Sequence, residues 1–353
     1  MTQTPLSLTL NFFPISIFSN KANYVKNLIL LSKTSFKKAL FVSLFLLLGT
    51  ILEANTSQED PTTFTNFLAN RKESFYQVKA FYTYQLASQE GMILASTIGT
   101  PGLAGNFITP PLNATSGFKI GASSSLFHDD WSITGNYQWF YNNALLKRSQ
   151  LIGGLLYTSN FSNTTTTYNQ LYSQFNNQFN RIDLSLERAI YTGHYVSFTA
   201  NAGLLASWEN QYLNFNLTKN TPPNTVHKNR LQQQWWAIGP YVGTYADYYY
   251  TSNWASFLQA GTSLLLAQHK VIQLSSSNQY NSTNQFSNVE PMLDLSIGFF
   301  YENYLNDAKI RIDLGWQVQT YFSHNGILGY NGPMGIMGNY SLQGLVAGIH
   351  CSF

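Results

Sequence analysis

Charge is what this chain has least of. Of 353 residues only 19 are Lys or Arg and 16 are Asp or Glu, 10 % together, against about 25 % in an average soluble domain. A nucleic-acid partner needs clustered basic side chains, so composition excludes one. Cysteine is nearly absent too. The single Cys351 has no partner for an internal disulfide, and its apolar strand position makes it a small hydrophobe. Long apolar runs are missing beyond residue 52, which excludes a bundle of membrane-crossing helices, each needing about 20 apolar residues. What is present in excess is aromatic: 25 Phe, 23 Tyr and 7 Trp, 16 % of the chain. The mean hydropathy is nevertheless only −0.13, because Asn, Gln, Ser and Thr dilute the apolar residues. A disordered chain lacks such aromatics; an all-β protein fits.

The compartment is read at the N-terminus. Lys33, Lys37 and Lys38 precede the apolar run 39–52, and Leu52-Glu53-Ala54 comes just before Asn55. A charged region, an apolar core and a small residue in that order make a secretory signal peptide. The expected organisation is therefore a leader over 1–54 with its core at 33–54, a short periplasmic segment over 55–74, and a barrel over 75–353. Without Lys21, Lys26, Lys33, Lys37, Lys38 and Glu53, 14 basic and 15 acidic residues remain. The apparent excess of positive charge belongs to the leader.

Downstream, the dominant pattern has a period of two. In 131–141 the odd positions Trp131, Ile133, Tyr137, Trp139 and Tyr141 alternate with Ser132, Thr134, Asn136 and Gln138, the mark of a strand with one apolar face. The same pattern predicts strands at 75–86, 117–126, 181–187, 196–206, 236–247, 254–267, 293–302, 309–319 and 340–353. That makes ten. Residues 151–157 are apolar inside a polar link; they form either a loop folded inward or half of an extra hairpin that would raise the count to twelve.

Connection lengths alternate as strictly as the side chains do. Short links fall at 127–130, 191–194, 248–253 and 303–307; long Asn/Ser/Thr-rich links fall at 87–116, 142–180, 209–235, 268–291 and 322–339. Tight turns at one end and loops at the other describe a transmembrane antiparallel up-and-down β-barrel, the arrangement of bacterial outer-membrane proteins. Closure is required because an open sheet edge in lipid leaves amides unpaired. Aromatics at the strand ends, namely Trp131, Tyr141, Trp208, Trp235, Trp236, Trp254 and Tyr321 with Tyr195, Tyr249, Tyr250 and Tyr304, are expected in the two headgroup girdles.

The few charges lie opposite the apolar stripes. Lys79, Lys119, Arg181, Asp183, Glu187, Asp294, Glu302, Lys309, Arg311 and Asp313 are the candidate lumen-lining residues, since a basic side chain facing lipid at the midplane costs about 2–4 kcal/mol. They either line a water channel and set ion preference or pair across a narrow barrel as an ionic plug. Ten strands enclose a small lumen. No catalytic residues are expected. His128, Asp129 and Asp130 form a dense cluster on a short turn, while His227, His269 and His324 have no carboxylate close in sequence. No cofactor motif and no metal spacing appear.

The last strand ends Leu345, Ala347, Ile349, Cys351, Phe353 on one face. A terminal aromatic behind alternating apolar residues resembles the signal by which barrel assembly machinery recognises its clients, with Phe353 as its key residue. Several stretches extend the likeness: Gly117-Phe118-Lys119-Ile120-Gly121 followed by Asp129-Asp130-Trp131; Asn180-Arg181-Ile182-Asp183-Leu184 with Gly203-Leu204; Ile238-Gly239-Pro240 with Gly243; and Leu314-Gly315-Trp316 with Leu342-Gln343-Gly344-Leu345. In this order they resemble the major outer membrane protein-like porins of Legionella and the environmental chlamydiae. The resemblance implies a surface-exposed barrel with porin activity and no catalytic residues. That family's cysteine-rich chemistry has no counterpart here beyond Cys351.

The expected function is passive passage of ions and small hydrophilic solutes across the outer membrane. The alternative is a non-conducting structural or adhesive barrel that meets host cells through long extracellular loops such as 160–180 and 275–288. Expected partners are outer-membrane lipid, the assembly machinery, the solutes, and on the second reading a host surface; a homo-oligomer is left open.

Overall fold

The computed structural model describes residues 76–90, 95–97, 107–108, 113–126, 131–149, 152–153, 170–193, 195–219, 225–275, 282–305, 308–325 and 338–353. The expected leader, the segment 55–74 and the 127–130 turn with His128, Asp129 and Asp130 lie outside the described residues.

The described residues are all β. In chain order the strands are β1 (Tyr76–Gln89), β2 (Ala95–Thr97), β3 (Phe107–Ile108), β4 (Ala114–Ser125), β5 (Trp131–Arg148), β6 (Ile152–Gly153), β7 (Gln170–Thr192), β8 (Val196–Lys219), β9 (Thr225–Tyr249), β10 (Trp254–Ser275), β11 (Ser282–Leu305), β12 (Ala308–Asn325) and β13 (Gly338–Ser352). Ten of them close into an antiparallel barrel in the order β1-β13-β12-β11-β10-β9-β8-β7-β5-β4, and β4 pairs back onto β1. The seam between first and last strands runs from Gln77 opposite Ser352 to Gln89 opposite Tyr340. Mutual backbone bonds between Tyr76 and Phe353, 2.9 and 3.3 Å long, finish it. The extra hairpin does not join the barrel. Within 151–157, Ile152 and Gly153 instead pair with β2 in a separate three-stranded sheet β3-β2-β6, so the barrel count is ten and not twelve; 154–157 lie outside the described residues.

Each expected strand is present, and most run further than expected toward the long-link end. β8 continues to Lys219 and β9 starts at Thr225, with an unbroken register from Val196↔Tyr248 to Lys219↔Thr225. β7 already begins at Gln170 and β11 at Ser282. The links expected at 142–180, 209–235 and 268–291 are thus largely strand, as are 170–180 and 282–288 of the two loops expected to meet a host.

A change of polarity explains why. On β9 the outward side chains between Trp236 and Tyr248 are Ile238, Pro240, Val242, Thr244 and Ala246, a band of 13 positions counting both ends. At about 3.3 Å per residue and a tilt near 45°, that band is about 28 Å tall, close to a hydrocarbon core. Above Trp236 the outward residues become Gln234, Gln232, Arg230 and Lys228, while Leu231 and Trp235 are buried inside. β8 repeats the switch: Phe198 to Trp208 point apolar groups outward, then Leu213, Phe215 and Leu217 are buried inside and Asn210, Asn214 and Asn216 face out. The lower half is apolar outside and polar inside; the upper half is polar outside and holds buried leucines and aromatics inside together with buried polar groups such as Gln211, Gln233 and Glu290, as for a barrel standing in water.

Candidate functional site

The lumen is where the polar side chains converge, and the structure stacks it in layers. Nearest the short turns, Lys309 Nζ lies 2.6 Å from Glu302, and Arg311 bonds Asp313 at 2.7 Å and approaches Asp247 at 3.6 Å. Arg311 also donates to the Tyr245 hydroxyl and lies over the Phe300 ring. His350 stands 2.7 Å from the second oxygen of Asp313. Beside this cluster is a cavity of about 310 Å³, lined among others by Lys79, Phe81, Lys119, Asp183, Glu187 and Tyr241, which reaches the short-turn rim at Thr192 and Ser197.

The next layer crosses the barrel. Arg181 on β7 bonds Asp294 on β11 at 2.6 Å and lies 3.5 Å from Asp183. Asp294 also accepts from Gln317 and Gln319 at 3.0 and 3.3 Å. Gln319, Gln138, Gln85 and Gln317 are chained by amide bonds of 2.9 to 3.4 Å from β12 through β5 and β1 and back to β12. Buried charges of this kind persist only when paired and hydrogen-bonded.

Above the amides the lumen turns apolar. Ala87, Phe140, Phe179, Leu205, Trp235, Ala237, Tyr241, Leu265, Ala267, Met292, Tyr321, Tyr340 and Leu342 form one cluster, each 0–3 % exposed, with nine of the ten barrel strands contributing. Phe179, Tyr321, Tyr340 and Trp235 pack ring to ring at 5.5 to 6.3 Å. Over this plug sits a buried chain of acid and base. His269 Nε2 is 2.5 Å from Glu290, whose other oxygen is 3.3 Å from His324 Nδ1, and His324 Nε2 is 2.5 Å from Glu209.

All ten charges expected in the lumen fall on the inward face. Eight of them belong to the paired clusters or the cavity rim: Arg181, Asp183 and Asp294 come together, as do Glu302 with Lys309 and Arg311 with Asp313, while Glu187 lies near the mouth. Lys79 and Lys119 stand apart at the cavity. Of the girdle set, Tyr141, Trp208, Trp236 and Trp254 are exposed on the outer face, and Trp131 lies under the Arg188 guanidinium at 5.4 Å. Trp235, Tyr249 and Tyr321 are corrections, being 2 %, 1 % and 0 % exposed inside the barrel. Adjacent positions on a strand face opposite ways, so only one of Trp235 and Trp236 can reach lipid, and Tyr321 shares the parity of Arg311 and Asp313. Sequence reading missed the His269–Glu290–His324–Glu209 chain because its members lie on four strands. Parity with the inward charges would have brought in Glu209 and Asp247, but not His324. A bulge at Ser323, whose φ is +57°, shifts the β12 register between Tyr321 and Asn325 and turns His324 inward.

A closed antiparallel barrel with an apolar waist, aromatic rims and ion pairs inside is a bacterial outer-membrane β-barrel. The family model described as Legionella pneumophila major outer membrane protein precursor matches residues 76–353. The chain belongs to that family. Comparison with curated proteins finds no match. Solved structures similar to it include the outer membrane protease OmpT from Escherichia coli, at 13 % identity and TM-score 0.45, covering 80 % of this chain and 99 % of that one. The Pseudomonas putida toluene transporter TodX gives 9 % and 0.29, covering 82 % and 92 %. The Yersinia pestis attachment invasion locus protein Ail gives 9 % and 0.22, covering 79 % and 99 %.

Proposed function

We propose that the chain is a structural barrel displayed at the surface of the outer membrane, with a lumen closed to solutes. The observation that supports this reading is the apolar plug: residues lining a water channel touch water, whereas the plug residues are at most 3 % exposed. The ionic layer below it supports the plug alternative for the inner charges over a selectivity filter. The His–Glu chain favours no enzymatic role, since His269, Glu290, His324 and Glu209 have side chains 0 % exposed and a substrate has no approach to them. Contact with lipid follows from the apolar band. Host contact is proposed for the loops 160–180 and 275–288, of which 160–169 and 276–281 lie outside the described residues. Recognition by the assembly machinery is proposed for Phe353, whose exposed ring ends β13; its deletion should lower the amount of folded barrel in the membrane while export stays normal.

The second reading is the porin implied by the family resemblance, and one observation favours it: the charged cavity already opens the lumen at the short-turn end, so the Arg181–Asp294 layer with its glutamines and the aromatic plug are what would have to move. Swelling of liposomes loaded with the refolded full chain separates the two. The closed reading expects no swelling in small sugars; swelling at rates typical of a general pore overturns it and leaves the porin.

A further inference from the structure

We propose that the cavity at the short-turn end is a binding site for a small oxyanion of carboxylate or phosphate chemistry, held by Lys79 and Lys119. Both residues face the lumen from adjacent strands. Lys79 lies opposite Gly121 and His350, and Lys119 opposite Phe81 and Gln138, so the two are diagonal neighbours on one face of the β1–β4 pair, within about 8 Å of each other at Cβ. Both line the same cavity of about 310 Å³, a volume at the lower end of what small-molecule sites occupy.

Two carboxylates that line the same cavity are engaged elsewhere. Asp183 takes the Asn136 amide at 2.6 Å and lies 3.5 Å from Arg181; Asp313 takes Arg311 at 2.7 Å and faces His350. Among the described residues neither lysine has a carboxylate oxygen within 4.0 Å, and the one close contact of Lys119 with charge character is the Phe81 ring, 5.8 Å from its ammonium. Two like charges on a partly dehydrated wall repel each other. A compact anion between them removes that repulsion and supplies acceptors for up to six ammonium hydrogens. Glycine makes the room: a Cβ at Gly121 would meet the Asn136 side chain at 2.2 Å, and one at Gly348 would meet the Phe81 ring at 2.1 Å. Phe81 and Asn136 therefore lie close against the wall, where Lys79 and Lys119 are its cationic groups beside Gln77. Glu187 also lines the cavity, so its charge should work against an anion.

The assignment holds whether or not the lumen conducts, because the cavity is reached at the short-turn rim, at Thr192 and Ser197. The experiment is calorimetric titration of the refolded full chain with inorganic phosphate and, separately, with succinate, folding being checked throughout by heat-modifiable gel mobility. Wild type should bind at least one of the two with saturation, and which one binds distinguishes a phosphate from a carboxylate source. Lys79→Met and Lys119→Met should each weaken binding about tenfold or more, the range of one charge-assisted hydrogen bond. Glu187→Gln should strengthen it, and Lys270→Met, remote on the outer face, should leave it unchanged. No saturable binding of either anion by folded wild type, or equal losses in the Lys79, Lys119 and Lys270 variants, would overturn the proposal.

Discussion

Asp294 shows how individual residues hold the lumen. Its carboxylate receives Arg181 at 2.6 Å and two glutamine amides, so removing the charge leaves the buried guanidinium with only Asp183, 3.5 Å away. Asp294→Asn should lower stability by about 3–5 kcal/mol, the cost of breaking one side of a buried pair, read as a fall in the urea midpoint. The double variant Arg181→Leu/Asp294→Leu should lose clearly less than the single one, because the guanidinium leaves together with its carboxylate and Asp183 keeps its Asn136 bond at 2.6 Å. A double variant as unstable as Asp294→Asn would remove the pairing argument. Ser323 is the second diagnostic residue. Its left-handed backbone is tied by an Asn288 bond to its carbonyl and an Asn339 bond to its N–H, each 3.2 Å. Ser323→Val should cost about 1–2 kcal/mol, since a β-branched side chain is a poor occupant of that region, and Ser323→Gly should be tolerated.

At the scale of the strand, the organising feature is the reversal of polarity at Trp208 and Trp236. It predicts opposite tolerance on one outer face of β8. Leu204→Arg, near the middle of the apolar band, should cost about 2–4 kcal/mol. Asn214→Arg, ten residues further along β8 and on the same face, should stay within about 0.5 kcal/mol. Comparing the temperature at which each folded form is lost on a denaturing gel tests this, and equal losses would contradict a water-bathed upper barrel. The same reversal explains what was legible in the sequence. Alternation located all ten strands because Phe198 to Trp208 or Trp131 to Tyr141 keep their apolar residues on one phase. Above the rim the phase shifts: in β8 the apolar positions pass from even numbers to Leu213, Phe215 and Leu217, and Asn-rich outer positions look like loop. An alternation that changes phase reads as the end of a strand. The inward charges were legible for the same reason as the strands, whereas their partners were not, since register across four or five strands is set by closure and shear. Trp235 and Tyr321 were misplaced by trusting residue type over parity.

The barrel has two halves on one set of strands, a lipid-embedded half with polar contents and an upper half whose inside mixes buried Leu and Phe side chains with the His269–Glu290–His324–Glu209 chain, divided by a plug of Phe140, Phe179, Trp235, Tyr321 and Tyr340. The low charge count follows from this plan. Most of the paired charges line the inside of the lower half, with Glu209 and Glu290 buried above the plug and Lys228 and Arg230 on the upper outside, while aromatics fill two rims and a plug, and Asn and Gln dominate the upper outside of β8 and β9. Closure of the lumen is the claim on which the functional reading stands. Single-channel recording in planar bilayers tests it most directly, with the wild type compared against the triple variant Phe179→Ala/Tyr321→Ala/Tyr340→Ala, both verified as folded. Silent membranes with the wild type and discrete conductance steps with the triple variant are the predicted result; wild-type steps that truncation of the plug leaves unchanged would contradict it.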